Sequence, residues 1–363
     1  MDLVLHIGTG KTGTSSIQRF MHRNRERLAG AGVLYPRSPV RGRHLHLSVY
    51  AQSDEKLPTM ASWRRLGLSS PAKFRKSFPR ELAREIHESG LSRVLLSDEA
   101  LYGAPDDALQ RLRGLTDALA ASLRVVVYLR RQDDHLVSRY QQVVKTGETR
   151  RLTEPTSRPG SPGSNESWAS RQGPKTYDYF ARLQKWKRML EPDELVVRRF
   201  ERESFVDGSL YQDFLEATRI DERAEDMDQV ETANESLDAE AVEFLRIVNI
   251  LREEHEEAAA CAPANRRMVM RLAEACDGPT LTMPTPLLDE FMSRWEQSNQ
   301  RVAREMLGDA TGQLFAGPRK TSGTTAKQYL DPSRLDHYLT FLELPEQMHA
   351  PLRVLVEREA RAD

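Results

Sequence analysis

Residues 3–16 read Leu3-Val4-Leu5-His6-Ile7-Gly8-Thr9-Gly10-Lys11-Thr12-Gly13-Thr14-Ser15-Ser16, an apolar run that passes into a glycine-rich loop and then into helical spacing. The run predicts a buried strand; Ile17, Phe20, Met21 and Leu28 predict a helix over residues 16–29. Glycines let successive backbone N–H groups turn toward one anion, the following helix adds its positive end, and Lys11 adds a mobile full charge. The order strand, loop, helix therefore predicts a phosphate cradle and a bound nucleotide. Its fit to the triphosphate pattern GxxxxGK[ST] is partial, because Leu5 stands where the first glycine belongs.

Outward from this loop, helical and extended patterns alternate. Extended segments are expected at 33–36, 94–97, 124–129 and 195–200, and helices at 80–88, 106–119, 177–190 and 210–218. Such alternation predicts an α/β fold, a P-loop-like three-layer arrangement with a central parallel sheet flanked by helices, in which ligands sit beyond the carboxyl ends of the strands. Residues 149–174, rich in Pro, Gly and Ser without an apolar period, are expected to form a mobile loop, either a surface insertion or a flap over a substrate. Helical spacing returns over 239–257, 266–275 and 287–306. The expected organisation is an α/β core over 1–230, a helical C-terminal elaboration continuous with it over 231–316, and a loop with short helices over 317–363.

The chain has 363 residues, 39% of them hydrophobic, with 53 basic and 54 acidic side chains and a net charge of −1. That balance argues against a general affinity for nucleic acid or anionic membrane and leaves room for local patches. One such patch is Arg64, Arg65, Lys73, Arg75, Lys76, Arg80 and Arg84, a stretch in which Glu81 is the only acid. It is read as a solvated helix face or as a docking place for an anionic or polyhydroxylated acceptor. Trp63, Trp168 and Tyr177 are read as rings that stack on a sugar or anchor the chain to its core. Cys261 and Cys276 suit a reducing compartment and packing roles. No segment approaches the roughly 18 apolar residues of a membrane span, and the start Met1-Asp2-Leu3-Val4 lacks a cationic leader, so a cytoplasmic location is expected.

A second informative place follows the strand at 124–129. Arg130 stands at its end, and Ser138 lies two turns into the next helix. A guanidinium and a hydroxyl so placed can converge on one phosphate. Together the two segments resemble the PAPS-dependent sulfotransferases, and in particular a bacterial branch with a HIGxxKTGT start. The likeness extends through Leu34-Tyr35-Pro36, the strand end Val94-Leu95-Leu96-Ser97-Asp98-Glu99, Leu129-Arg130-Arg131-Gln132-Asp133, and Val197-Arg198-Arg199-Phe200-Glu201-Arg202. The resemblance covers roughly the first 250 residues. It implies transfer of a sulfuryl group from PAPS (3′-phosphoadenosine-5′-phosphosulfate) to an acceptor hydroxyl, leaving PAP, the 3′,5′-bisphosphate. The loop Gly10, Lys11, Thr12, Gly13, Thr14 and Ser15 would hold the 5′-phosphosulfate, and Arg130 with Ser138 the 3′-phosphate.

Such chemistry asks for a base, and family members use histidine or glutamate. His44 is expected in that role, with His46 and Glu99 as the other candidates; Lys11 is expected at the bridging oxygen of the departing nucleotide. The expected acceptor is a carbohydrate or a glycosylated small molecule, and no metal is required. A rival reading takes the chain as a P-loop kinase or NTPase in which Lys11, Thr12 and Asp98 serve a magnesium-bound triphosphate. A third class, a silent nucleotide- or glycan-binding module, would keep both loops and lack a base.

Overall fold

The computed structural model describes residues 1–37, 42–153, 167–230, 236–319 and 322–361. In chain order the strands are β1 Asp2–His6, β2 Val33–Leu34, β3 Arg93–Ser97, β4 Ser122–Leu129, β5 Glu194–Arg199, β6 Thr280–Leu281 and β7 Thr324–Thr325. The helices are α1 Thr14–Arg23, α2 Arg25–Gly30, α3 Leu45–Ala51, α4 Ala61–Arg65, α5 Pro71–Ser89, α6 Asp106–Leu119, α7 Gln132–Val144, α8 Pro174–Tyr177 and α9 Tyr179–Leu190. They continue as α10 Leu210–Ala217, α11 Ala239–Glu254, α12 Glu256–Cys261, α13 Asn265–Ala275, α14 Thr285–Ser293, α15 Glu296–Met306, α16 Leu335–Phe341 and α17 Glu346–Ala360.

Two compact units divide the chain out of linear order. The first comprises Met1–Arg131, Pro174–Thr232 and Trp295–Gly317; the second comprises Gln132–Gly173, Ala233–Arg294 and Pro318–Asp363. Residues 295–316, read from the sequence with the helical elaboration, fall in this division with the sheet-bearing unit.

In the first unit five parallel strands lie in the order β2-β3-β1-β4-β5. Alternation along β1 explains how one strand serves two cores. Leu3, Leu5 and Ile7 face a cluster built from α3, α5, α6, α9 and α15, whereas Val4 faces Ile17, Phe20 and Met21 of α1 and Phe214 and Leu215 of α10. This is the expected α/β arrangement, a central parallel sheet with helices on both faces. β1 is central and its two neighbours are reached in opposite directions, so the loops after β1 and β4 leave the sheet at its switch point.

Several expected elements divide. The helix anticipated over 16–29 breaks at Asn24, whose side chain bonds Phe20 O at 2.9 Å and both backbone groups of Asp228, at 2.9 and 3.0 Å. The helix anticipated over 239–257 stops at His255, where φ is −131° and ψ 88°. The second unit is mainly helical, with a two-stranded parallel ladder of β6 and β7. Its last helix, α17, runs 15 residues, longer than the short helices expected there. Of the stretch expected to be a mobile loop, residues 154–166 lie outside the described residues. Its near side is anchored: Trp168 N and Ala169 N donate to Arg151 O and Leu152 O at 2.8 and 3.1 Å, and Leu152 and Trp168 are buried. Trp168 packs on Tyr140 within the second unit, and Tyr177 on Trp295 within the first. No helix among the described residues is long and apolar enough to cross a membrane.

Candidate functional site

The parallel register brings four strand ends to one edge. Beyond β1 the ladder continues through Thr9 N to Tyr128 O at 2.9 Å and Tyr128 N to Gly8 O at 2.7 Å; beyond β3, Asp98 N reaches His6 O at 3.0 Å; beyond β5, Phe200 N reaches Leu129 O at 2.7 Å. The chain then turns through Lys11 and Gly13, both with positive φ (65° and 70°), into α1. Space favours glycine at 13 as well: a Cβ there would lie 2.5 Å from Leu210 Cδ2 and 3.2 Å from Phe200, so these side chains would have to shift. A Cβ on Gly10 would meet nothing within 4 Å, so this glycine borders open space.

Gly13 is the N-cap of α1, no side chain caps it, and the first turn holds no acid. The positive end of a ten-residue helix therefore opens beside Lys11. Ser15 and Lys11 are exposed, while Thr12 and Thr14 are buried; Thr12 Oγ1 donates back to Thr9 O at 2.5 Å and stiffens the turn. Arg130 reaches across from the end of β4, with Nη1 3.1 Å from Lys11 O, and its own carbonyl accepts from Tyr179 Oη at 2.5 Å. The two segments singled out by sequence are thus in contact at Arg130 and Lys11. Ser138 is a half-buried residue of α7 in the second unit.

Glu99 abuts the loop, since a Cβ added to Gly8 would fall 2.9 Å from Glu99 Cβ. Its carboxylate is about one-fifth exposed and held from two sides, by Gln18 Nε2 at 2.8 Å and Arg43 Nη1 at 3.1 Å. Arg43 also pairs with Asp98, at 2.9 Å through Nε and 2.8 Å through Nη2. Gln18 and Arg43 carry no signature in the sequence. Only the folding of α1 and of the segment before α3 against β3 reveals them.

His44, the residue expected as the general base, lies where both of its ring nitrogens have backbone partners. β2 pairs only as far as Leu34 with Val94, so the far end of β3 lacks a strand partner on that side. His44 supplies one: its backbone N donates to Ser97 O at 2.9 Å, and its Nδ1 accepts from Ser97 N at 2.9 Å. Its Nε2 then carries the proton and donates to Pro36 O at 3.1 Å. Both nitrogens are committed, and burial pushes the imidazole down to about 4. His46 lies on α3 with its ring against Phe74 and Phe78, and burial lowers its pKa.

The acid dependence of stability follows from His44. The unfolded chain takes up this proton below about 6.5 and the folded chain only near 4, so stability is full above 6.5 and falls as pH drops between these values, by about 3 kcal/mol at most. His6 acts in the same direction: it is fully buried, its Nδ1 is 2.8 Å from Ser97 Oγ, and burial pushes it to about 3. Urea denaturation at pH 7 and near pH 4.5 is expected to show this loss, with a shallower slope in His44→Gln. Equal slopes in the two proteins would exclude the buried-imidazole account.

The groups that would serve a magnesium-bound triphosphate are otherwise engaged. Asp98 is fully buried; Oδ1 takes Arg43 and Ala100 N, and Oδ2 takes Ser48 N at 3.1 Å. Burial raises its pKa against the pull of Arg43. Thr12 spends its hydroxyl proton on Thr9 O. Among the described residues no group of three or more His, Cys, Asp or Glu is placed to hold a metal ion.

No family model matches the chain. It is similar to an uncharacterized protein of Archaeoglobus fulgidus, 30% identical over 220 residues, which span 59% of this chain and 54% of that protein. The chain thus covers about half the length of this relative, in which no activity is named.

Proposed function

We propose that the chain is a PAPS-dependent sulfotransferase with a P-loop-like nucleotide site, acting on a hydroxyl of a carbohydrate or a glycosylated small molecule. The observation that carries this reading is the 3.1 Å contact of Arg130 with the Lys11 carbonyl, beside the uncapped positive end of α1. A nucleotide with phosphates at both 5′ and 3′ positions is the ligand class that two adjoining cationic groups, one at each strand end, would grip. The donor supplies an activated sulfuryl group. The loop Gly10–Ser15 and Lys11 would bind its 5′ end, with the Lys11 ammonium balancing charge on the departing phosphate oxygen, and Arg130 would bind the 3′-phosphate. The role implied for Ser138 rests on sequence alone.

Glu99 replaces His44 as the proposed base. It is partly exposed at the strand end next to the loop, and Gln18 and Arg43 fix both carboxylate oxygens. When the acceptor hydroxyl attacks sulfur, its proton passes to Glu99, the new S–O bond forms, and the bond to the bridging phosphate oxygen breaks.

Calorimetry with adenosine 3′,5′-bisphosphate, set beside ATP with magnesium, tests the reading. The bisphosphate is expected to bind, and Lys11→Ala and Arg130→Ala are each expected to weaken it by about 10- to 100-fold, the worth of one charged hydrogen bond. Tight binding of ATP with magnesium and none of the bisphosphate would replace sulfuryl transfer with triphosphate chemistry.

A further inference from the structure

We propose that the exposed face of α4 and α5 is a docking surface for a linear, negatively charged polysaccharide, the uronate-bearing or already sulfated class of acceptor. This deepens the sulfotransfer reading and rests on it for the word acceptor.

Phe74, Phe78 and Leu82 of α5 are buried in the core beneath the sheet. On the opposite side Lys73, Lys76, Arg80 and Arg84 recur three and four residues apart, all exposed, with Arg64 and Arg65 of α4 also exposed nearby in sequence. Arg84 approaches Glu88 at 3.9 Å. Arg65, Lys73, Lys76 and Arg80 form no ion pair among the described residues. Arg75, by contrast, folds back onto Asp54 and the carbonyls of Tyr50 and Gln52 and lies over the Tyr50 ring. The helix thus separates a cation used for structure from four that are offered to solvent, in a chain of net charge −1.

Three features select the partner. The stripe follows one side of α5 and its charges are separated by about 4.5 to 6 Å of helix rise, the regular spacing that a polymer with one negative charge per sugar ring presents. The apolar side of α5 is consumed by the core and none of the exposed large hydrophobic residues lies on α4 or α5, so the surface lacks the wedge with which an interfacial helix enters a bilayer. Trp63, Phe74 and Phe78 are buried, so it also lacks the stacking platform of a single-stranded nucleic-acid groove. The surface is joined to the proposed base through α3. His46 rests on Phe74 and Phe78, and the segment leading into the same helix supplies the Arg43 that holds Glu99.

Fluorescence anisotropy of labelled polygalacturonate, with the full chain at rising salt, tests the proposal. Binding is expected at low ionic strength, weakening as salt rises. It should fall by about tenfold or more in Lys73→Gln/Lys76→Gln/Arg80→Gln, while the affinity for adenosine 3′,5′-bisphosphate stays unchanged. Arg64→Gln/Arg65→Gln on the separate helix should weaken the polymer as well, and serves if the triple variant fails to fold. Absence of polygalacturonate binding, or binding that neither variant weakens, overturns the docking surface. So does equal affinity for an oligothymidylate or for phosphatidylserine vesicles with the same dependence on the variants. If polygalacturonate is bound and lost as expected but the bisphosphate is not bound at all, the surface stands and the sulfotransfer reading falls.

Discussion

Glu99→Gln is expected to lower turnover by about 10²- to 10⁴-fold while leaving the affinity for adenosine 3′,5′-bisphosphate unchanged. The amide keeps the size and planarity of the carboxylate and its one oxygen can still accept from Arg43 Nη1, whereas its NH2 cannot accept from Gln18 Nε2, and the group no longer accepts a proton at neutral pH. The nucleotide contacts proposed for Lys11 and Arg130 do not include it. The expected split is therefore in turnover and not in cofactor affinity, measured by sulfuryl transfer and by calorimetry on one preparation. Turnover retained within a few fold would remove Glu99 as the base. Substitution of His44 should behave differently, because the imidazole completes the edge of β3 through Ser97. Activity lost there should be accompanied by a lower melting temperature.

Glu243→Ala is expected to destabilise the second unit by about 3–5 kcal/mol, the cost of taking from a buried guanidinium the carboxylate that holds two of its nitrogens. Glu243 and Arg246, one turn apart on α11, are both nearly inaccessible and share two hydrogen bonds of 2.8 and 2.6 Å. Burial opposes the charge of Arg246, yet Glu243 more than offsets it and raises the guanidinium pKa. The pair is also a hub. Arg246 donates to Thr149 O at 2.8 Å and to Glu359 of α17 at 2.5 Å; Gln328 joins Glu243 at 2.9 Å to Tyr140 at 2.5 Å and takes Leu152 N at 2.9 Å. Hydrogen exchange at Thr149–Leu152 and in α17 should therefore rise with the global loss seen in urea. Replacing Glu243 and Arg246 together with methionine should recover part of the stability, since an apolar pair of similar volume carries no desolvation cost while Thr149 O and Gln328 Nε2 each lose a partner. A cost below about 1 kcal/mol for Glu243→Ala would show that water or the neighbouring Glu359 carboxylate takes the place of Glu243.

The parts of the fold legible in the sequence are those governed by local pattern. β1, β3 and β4 are short runs buried on both faces, so they appear as uninterrupted apolar segments, and α6 was placed at its observed bounds by its spacing. The glycine loop was legible because Gly13 answers a local demand, a left-handed residue at a helix start. Breaks caused by distant partners were not. Asn24 ends α1 by bonding to a residue 204 positions away, and Leu288, Phe291, Trp295 and Val302 keep helical spacing across a break that assigns α14 and α15 to different compact units.

The amino-acid sequence by itself determined an alternating α/β chain, a glycine-rich, lysine-bearing loop at the end of its first strand, and a cation at the end of another, because strand burial, glycine dihedral freedom and residue charge are properties of short segments. Tertiary structure alone decided that Arg130 touches the Lys11 carbonyl, that Gln18 and Arg43 fix Glu99, and that His44 is spent on the edge of β3. The reason is the parallel register: it brings strand ends more than a hundred residues apart within hydrogen-bonding distance, and a side chain's lone pair is available for chemistry only if no neighbour so assembled has already taken it.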